Sequence, residues 1–181
     1  MKVNMEIEHK SKLDEKAYLK LLKDYDLASS QFVQTNYYFD TNMLDLLKLY
    51  ITLRIRQKGD QLKITMKRRA PIGSLEQHIV IDEAKKEDYL ANGFLTKNLF
   101  PEIDYEVFFQ TKLVNTRVKM LYEDGVIFID KSEYNGITDY EIEFEHNDDD
   151  LCRKIFLEFL KENKIPYQKA EKKSYRALIA R

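Results

Sequence analysis

The strongest constraint on this chain is a period-two alternation of apolar and charged residues in which the charges on most runs share one sign. Arg54 and Arg56 oppose Leu53 and Ile55, and Lys63 and Lys67 oppose Leu62, Ile64 and Met66. Arg117 and Lys119 oppose Val118 and Met120, and Glu76 and His78 oppose Ile79 and Ile81. Acidic runs sit toward the chain's two ends. Glu6 and Glu8, followed by Lys10, oppose Val3, Met5 and Ile7; Asp130 ends the run through Ile127 and Ile129; Glu141, Glu143 and Glu145 oppose Tyr140, Ile142 and Phe144. Successive side chains of a strand point to opposite faces, so each run reads as a strand with one apolar and one charged face. Gly59-Asp60, Asp124-Gly125 and Asn135-Gly136 fall between runs and read as hairpin turns. The expectation is a largely antiparallel sheet of about seven or eight strands in an α+β fold.

Helices occupy the remainder. Asp14 is placed to cap a helix whose Ala17, Tyr18, Leu21, Leu22 and Tyr25 share a face. Asp148, Asp149 and Asp150 suit the start of a second, striped by Leu151, Ile155, Phe156, Phe159 and Leu160. A third spans Glu83 to Asn92 and is stopped by Gly93, and a last one covers roughly Lys169 to Ile179. With five Gly, three Pro and no linker, residues 1–181 read as one domain.

Which face of the sheet is wet decides the function. A polar face is ordinarily solvated, and it then mixes signs with Ser, Thr and Gln. Here cations gather on the middle strands and carboxylates on the outer ones. Like charges at i and i+2 repel by about 1 kcal/mol in water and by more where water is scarce. Ligands of opposite sign offset that cost. Carboxylate pairs suit a divalent cation such as magnesium or manganese, and cationic pairs suit a compact polyanion, with arginine offering phosphate a bidentate fork. Closing the sheet into a barrel sets both groups across a tunnel wide enough for one small ligand.

Other chemistries fit less well. The 30 basic and 31 acidic residues give a net charge of −1, which supplies no bulk attraction to nucleic acid or an acidic membrane. Gly-rich phosphate loops are missing, and His9, His78 and His146 lack zinc-motif spacing. Parity puts His9 on the apolar side and His78 beside Glu76, facing the charged interior. The lone Cys152 belongs on the apolar stripe of a helix and points to a reducing compartment. With no signal peptide and no apolar run of membrane length, the chain reads as cytoplasmic. Nothing in it signals an oligomeric state.

Glu6-Ile7-Glu8-His9-Lys10 resembles the E-x-E-x-K signature of the CYTH superfamily, the triphosphate tunnel metalloenzymes. In order, Tyr38-Phe39-Asp40-Thr41, Leu53-Arg54-Ile55-Arg56, Lys63 to Lys67, Thr116-Arg117, Asp130, Glu141-Ile142-Glu143, Lys173 and Arg176 extend the likeness over nearly the whole chain. It is similar to the small single-domain bacterial branch of the YjbK type. The resemblance implies a closed or nearly closed eight-stranded antiparallel barrel with flanking helices, and hydrolysis of a triphosphate compound with magnesium or manganese. It implies Glu6, Glu8, Asp130, Glu141 and Glu143 as one metal-binding set. Lys10, Arg54, Arg56, Lys63, Lys67 and Arg117 are implied to hold the phosphates, joined by Lys119, Lys173 and Arg176. Glu145 shares the inward parity. Of adjacent Lys172 and Lys173, only one is expected to face the tunnel, and spacing to Arg176 favours Lys173. Glu6, Glu8, Lys10, Arg54 and Arg56 form the expected catalytic group, with inorganic triphosphate as substrate. Adenylate cyclisation on the same fold and non-catalytic binding of nucleotide or polyphosphate are the alternatives.

Overall fold

A computed structural model describes residues 2–180. Two antiparallel meanders form the sheet. The first runs β3 (Phe32–Asp40), β4 (Thr52–Lys58), β5 (Gln61–Arg69) and β6 (Ser74–Val80); the second runs β8 (Glu106–Tyr122), β9 (Gly125–Tyr134) and β10 (Ile137–Glu145). They join along β3 and β8, and a two-residue strand β7 (Phe94–Leu95) adds to β8. The N-terminal segment serves both outer edges. Its first half, β1 (Lys2–Glu6), pairs with β6, and its second, β2 (Glu8–Leu13), pairs with β10. Only Ile7 separates them, so the strongly curled sheet begins and ends on adjoining stretches of chain. Taking β1 and β2 as one interrupted strand, eight strands surround the interior, with β7 outside that path. The expected eight-stranded antiparallel architecture with flanking helices is what forms.

The apolar faces point outward and are covered. α1 (Glu15–Asp24) and α4 (Asp149–Glu162) lie over β2 and β10 and build a core with Leu21, Ile129, Ile142, Phe144, Phe156 and Phe159. Each such side chain fully withdrawn from water contributes about 1.5–3 kcal/mol. Cys152 is buried in this core and donates to the Phe144 carbonyl; burial pushes its thiol up to about 11. α3 (Glu83–Asn92) helps cover a second core of Phe39, Leu53, Ile55, Ile64, Met66 and Phe100. Asp14, Asp82 and Asp148 cap these helices by accepting from the amides of Ala17, Lys85 and Leu151. No helix among the described residues is long and apolar enough to cross a membrane.

Three local expectations are corrected. The β8–β9 turn sits on Glu123-Asp124, one residue earlier than Asp124-Gly125, because Gly125 is already paired opposite Tyr122. Its missing side chain serves close packing instead, since a Cβ there would lie 2.5 Å from the Glu145 carbonyl oxygen and from the Phe144 ring. The C-terminal helix α5 begins at Lys173 and ends at Ile179, rather than starting near Lys169. Gln168 and Lys169 are held extended against β2, where the Gln168 carbonyl accepts from the Lys12 amide. Val3 and Met5, on the outward apolar face, are 51% and 53% exposed, because the helices lie over other strands. Lys172 is not excluded from the interior, as described below.

Asp40 shows how a residue within the sequence signature serves the fold. Buried at the end of β3, its carboxylate accepts from the amides of Thr41, Leu46 and Leu47 at 2.7, 2.9 and 2.9 Å. The last two belong to the short helix α2 (Asp45–Lys48), whose own N-cap residue, Leu44, offers no side-chain acceptor. Asp40→Ala strands buried donors and is expected to cost about 3 kcal/mol in urea unfolding, with Asp40→Asn costing less.

Candidate functional site

The charged faces point into the curl, and one end of it is closed by α5. Tyr38, Leu113 and Tyr134 pack there against Ala177 and Leu178 of that helix. Just inside lies a chamber of about 60 Å³, lined among others by Glu6, Glu8, Arg54, Arg56, Lys67 and Glu143. At the other end a mouth of about 910 Å³ opens, where Lys58, Lys63 and Lys119 line the wall. Chamber and mouth share Glu6, Arg54, Arg56, Arg117 and Glu145, so they are two reaches of one tunnel.

Strand register decides which charges meet. β2 against β10 places Lys10 opposite Glu143 and Glu8 opposite Glu145, while β8 against β9 places Arg117 opposite Asp130. The carboxylates expected to form one metal set therefore separate into two groups. Glu6 and Glu8 lie with Glu145; Asp130, Glu141 and Glu143 form a second group; within each, ligand oxygens lie inside 4.8 Å of one another. The division has a physical cause. Parity fixes the face a side chain points to, whereas depth along the tunnel depends on pairing, and pairing brings Glu145 level with Glu8.

The second group is already neutralised by the chain. Arg117 forks onto Asp130 at 2.7 and 2.6 Å and also reaches Glu143. Lys173 lies 2.7 Å from Asp130 and 3.0 Å from Glu143 and bonds Glu141, which Arg176 also holds while bonding Asp139. Burial opposes charge on all these groups, but their opposite-sign neighbours outweigh it for most. The Lys173 and Arg117 cations are held above their ordinary values by these carboxylates, and Glu143 is held well below its own by Lys173, Lys10 and Arg117. Glu141 is the exception, raised to about 7 by burial and then by Glu143. The first group is less completely paired. Lys67 bonds Glu6 and lies 3.3 Å from Glu8, and Lys10 bonds Glu8 at 2.9 Å, but among the described residues Glu145 has no cationic partner. Burial, then Glu143 and Glu8, pushes Glu145 up to about 7.

The expected phosphate-binding residues divide in the same way. Lys10, Lys67, Arg117, Lys173 and Arg176 are engaged with carboxylates. Among the described residues Arg56 bonds only Asn36, at 2.8 Å. Burial, then Arg54 and Arg117, pushes the Arg56 guanidinium down to about 9, the electrostatic mark of a cation short of counter-charge. Arg54 is 3.7 Å from Glu76, and its buried Nε has no hydrogen-bond partner. Lys63 and Lys119 stand at the open mouth without a carboxylate partner among the described residues.

Three interior residues escaped the sequence-level site. Glu76 is buried between Arg54, Lys67 and His78; its parity with His78 was the available signal. Asn36 holds Arg56. Lys172 lines the chamber alongside Lys173 and is lowered by burial and by the nearby Lys67 and Lys10. Both lysines enter because Lys172 precedes the first helical turn, so helical spacing does not turn it away.

A family model described as the CYTH domain matches residues 4–178. The Bacillus subtilis (strain 168) protein "Putative triphosphatase YjbK" is 30% identical over 181 residues, covering 97% of this chain and 95% of that one. A solved structure from Bacillus halodurans, described as a "putative adenylate cyclase", superimposes with a TM-score of 0.90 at 27% identity over 97% of this chain and 98% of its own. A Hippeastrum protein described as a "putative adenylyl cyclase" with a dominant triphosphatase activity superimposes with a TM-score of 0.75 over 97% of this chain and 96% of that one. At 23% identity, that likeness is one of fold.

The shortage of counter-charge at Arg56 generates a prediction about stability. Arg56→Gln removes a cation that the tunnel's own described residues do not balance, so the ligand-free melting temperature is expected to hold or rise. The rise in melting temperature on adding inorganic triphosphate is expected to shrink by more than half, measured by thermal shift at low salt.

Proposed function

The chain belongs to the CYTH family, and on that premise we propose that it hydrolyses a triphosphate compound, with inorganic triphosphate as the simplest substrate, in a reaction dependent on magnesium or manganese. One observation carries the reading: Arg56, short of counter-charge, stands with Arg54 in the same chamber as the carboxylates Glu6, Glu8 and Glu145. A polyanion and a divalent cation would each complete one half of that arrangement. The metal assignment among Glu6, Glu8, Asp130, Glu141 and Glu143 is thereby narrowed and extended. Glu6 and Glu8 keep the role, Glu145 joins them, and Asp130, Glu141 and Glu143 hold Arg117, Lys173 and Arg176 in place.

The donor set fits the ion. Three carboxylates whose oxygens lie within 4.8 Å of one another are hard ligands, and magnesium takes one or two carboxylates plus substrate oxygens and water. When bound, the ion supplies positive charge to the phosphate oxygens and acidity to a water. The protein's own part is positional. Lys63 and Lys119 draw the polyanion to the mouth, and Arg54 and Arg56 fix its phosphates. Lys67 and Lys10, now on Glu6 and Glu8, are free to turn to phosphate oxygens once those carboxylates gain another cation. Attack by water at a terminal phosphorus forms one P–O bond and breaks the bridging one, giving orthophosphate and diphosphate. The charge left on the diphosphate oxygen is stabilised by cations already in place, which costs little rearrangement.

Release of orthophosphate from inorganic triphosphate, with and without magnesium or manganese, tests this directly. Metal-dependent release is expected, and release no faster than a no-enzyme control would overturn the reading. Cyclic AMP formed from ATP without orthophosphate would mark the cyclase alternative, and tight binding without turnover the non-catalytic one. Glu145→Gln is expected to lower kcat by about 100-fold, comparable to losing one dedicated electrostatic group at a reacting centre. Lys119→Ala, acting at the solvated mouth, is expected to raise KM several-fold at low salt with kcat unchanged, and the effect should fade as salt is raised.

A further inference from the structure

His78 faces the tunnel from β6, and the proposed reaction gives it no part. Its side chain is 20% exposed and lines the mouth. Register sets it in a row across four strands. Lys2 of β1 lies opposite it on one side and Thr65 of β5 on the other, and Thr65 in turn lies opposite Arg54 of β4. The ring therefore shares a stretch of wall with the cations Arg54, Arg56, Lys63 and Lys2.

The contacts of His78 suit a neutral ring. Nδ1 lies 2.9 Å from the Thr65 hydroxyl, and Nε2 lies 3.3 Å from both the Asn4 amide nitrogen and Glu76 Oε2. With its proton on Nδ1, the ring accepts from Asn4 at Nε2 and offers Glu76 nothing. Burial holds the imidazolium below its ordinary range; Glu76 pulls it upward, and Arg54, Lys63 and Arg56 push it down again. Glu76 depends on other cations. It lies 3.7 Å from both Arg54 and Lys67, and its buried Oε1 has no hydrogen-bond partner among the described residues. A triphosphate reverses this balance. It answers the cations that keep a proton off His78, and it draws Arg54 and Lys67 away from Glu76. Opposite charge nearby favours the charged form of a side chain, and for histidine a modest change crosses neutrality.

We infer that His78 is a positioning residue that takes up a proton from solvent as a triphosphate binds, becoming the cation that stays with Glu76 while Arg54 and Lys67 turn to the phosphates. The inference rests on the reading that the tunnel takes triphosphates, and it adds a proton to what the tunnel binds.

Proton NMR of the histidine rings in the full chain tests it, without metal and with or without saturating inorganic triphosphate. The chain has three histidines, His9, His78 and His146. The His78 signal is assigned from its loss in His78→Asn or, by elimination, from His9→Asn and His146→Asn. Its titration midpoint is expected to rise by about one pH unit or more when triphosphate is added. His9 and His146, which lie against the start of α4, should keep theirs. His78→Asn is expected to bind inorganic triphosphate severalfold more weakly than the parent at about pH 6 and within about twofold of it at about pH 8, because the added cation exists only where the bound form is protonated. Unchanged His9 and His146 signals show that the variant is folded. A midpoint that stays in place with triphosphate bound, or an equal loss of affinity at both pH values, overturns the proposal and leaves triphosphate binding intact. If inorganic triphosphate binds neither protein, the reading of the tunnel fails and the proposal with it.

Discussion

Charges that face inward must be answered from across the tunnel, and most of this molecule can be understood as the way that requirement is met. A strand that carries Glu141, Glu143 and Glu145 on one face cannot be buried alone. β8 answers it with Arg117, β2 with Lys10, and α5 with Lys173 and Arg176. The helix that closes the tunnel is thus held by ion pairs inside as well as by apolar contacts of Ala177 and Leu178. Breaking one side of such a buried set leaves an uncompensated charge, which is far more damaging than the pair is stabilising. The accounting is incomplete at Arg56 and Glu145, which none of the described residues answers with an opposite charge.

The architecture follows from the same requirement. With charges inside, the apolar faces point out, and the core lies between the sheet and its helices instead of within the curl. α1 and α4 cover β2 and β10, which carry most of the carboxylates. The cover is uneven: Val3 and Met5 on β1 stay bare.

Much of this was legible from residue order. Alternation located most of the strands but not β3, and Asp14 and Asp148 announced their helices, because period and capping are local properties. The inward face was legible from sign segregation, since a solvated face has no reason to sort Arg54 and Arg56 from Glu141 and Glu143. Depth along the tunnel was not. Whether Glu6 and Glu8 sit with Glu143 or with Glu145 depends on the register of β2 against β10, a contact between distant parts of the chain. The same holds for Lys172, whose direction depends on Gln168 and Lys169 being held extended beside β2. Gly125 misled in another way. It looked like a turn residue, and its real service is to let the Glu145 backbone and the Phe144 ring come close.

The division of the N-terminal segment at Ile7 bears on how the chain reaches this state. β1 waits for β6 and β2 waits for β10, with Leu13 finally opposite Tyr140. The two meanders, by contrast, are built from hairpins of neighbouring strands and can assemble early. Pairings between distant residues are slow to form, because loop closure must precede any gain from the contact. The segment that holds β1 and β2 is therefore among the last to be placed, and Glu6 and Glu8 meet Glu145 only in that closure. Until that closure the two meanders lack Glu6 and Glu8, so the chamber is completed by the most distant pairings in the chain.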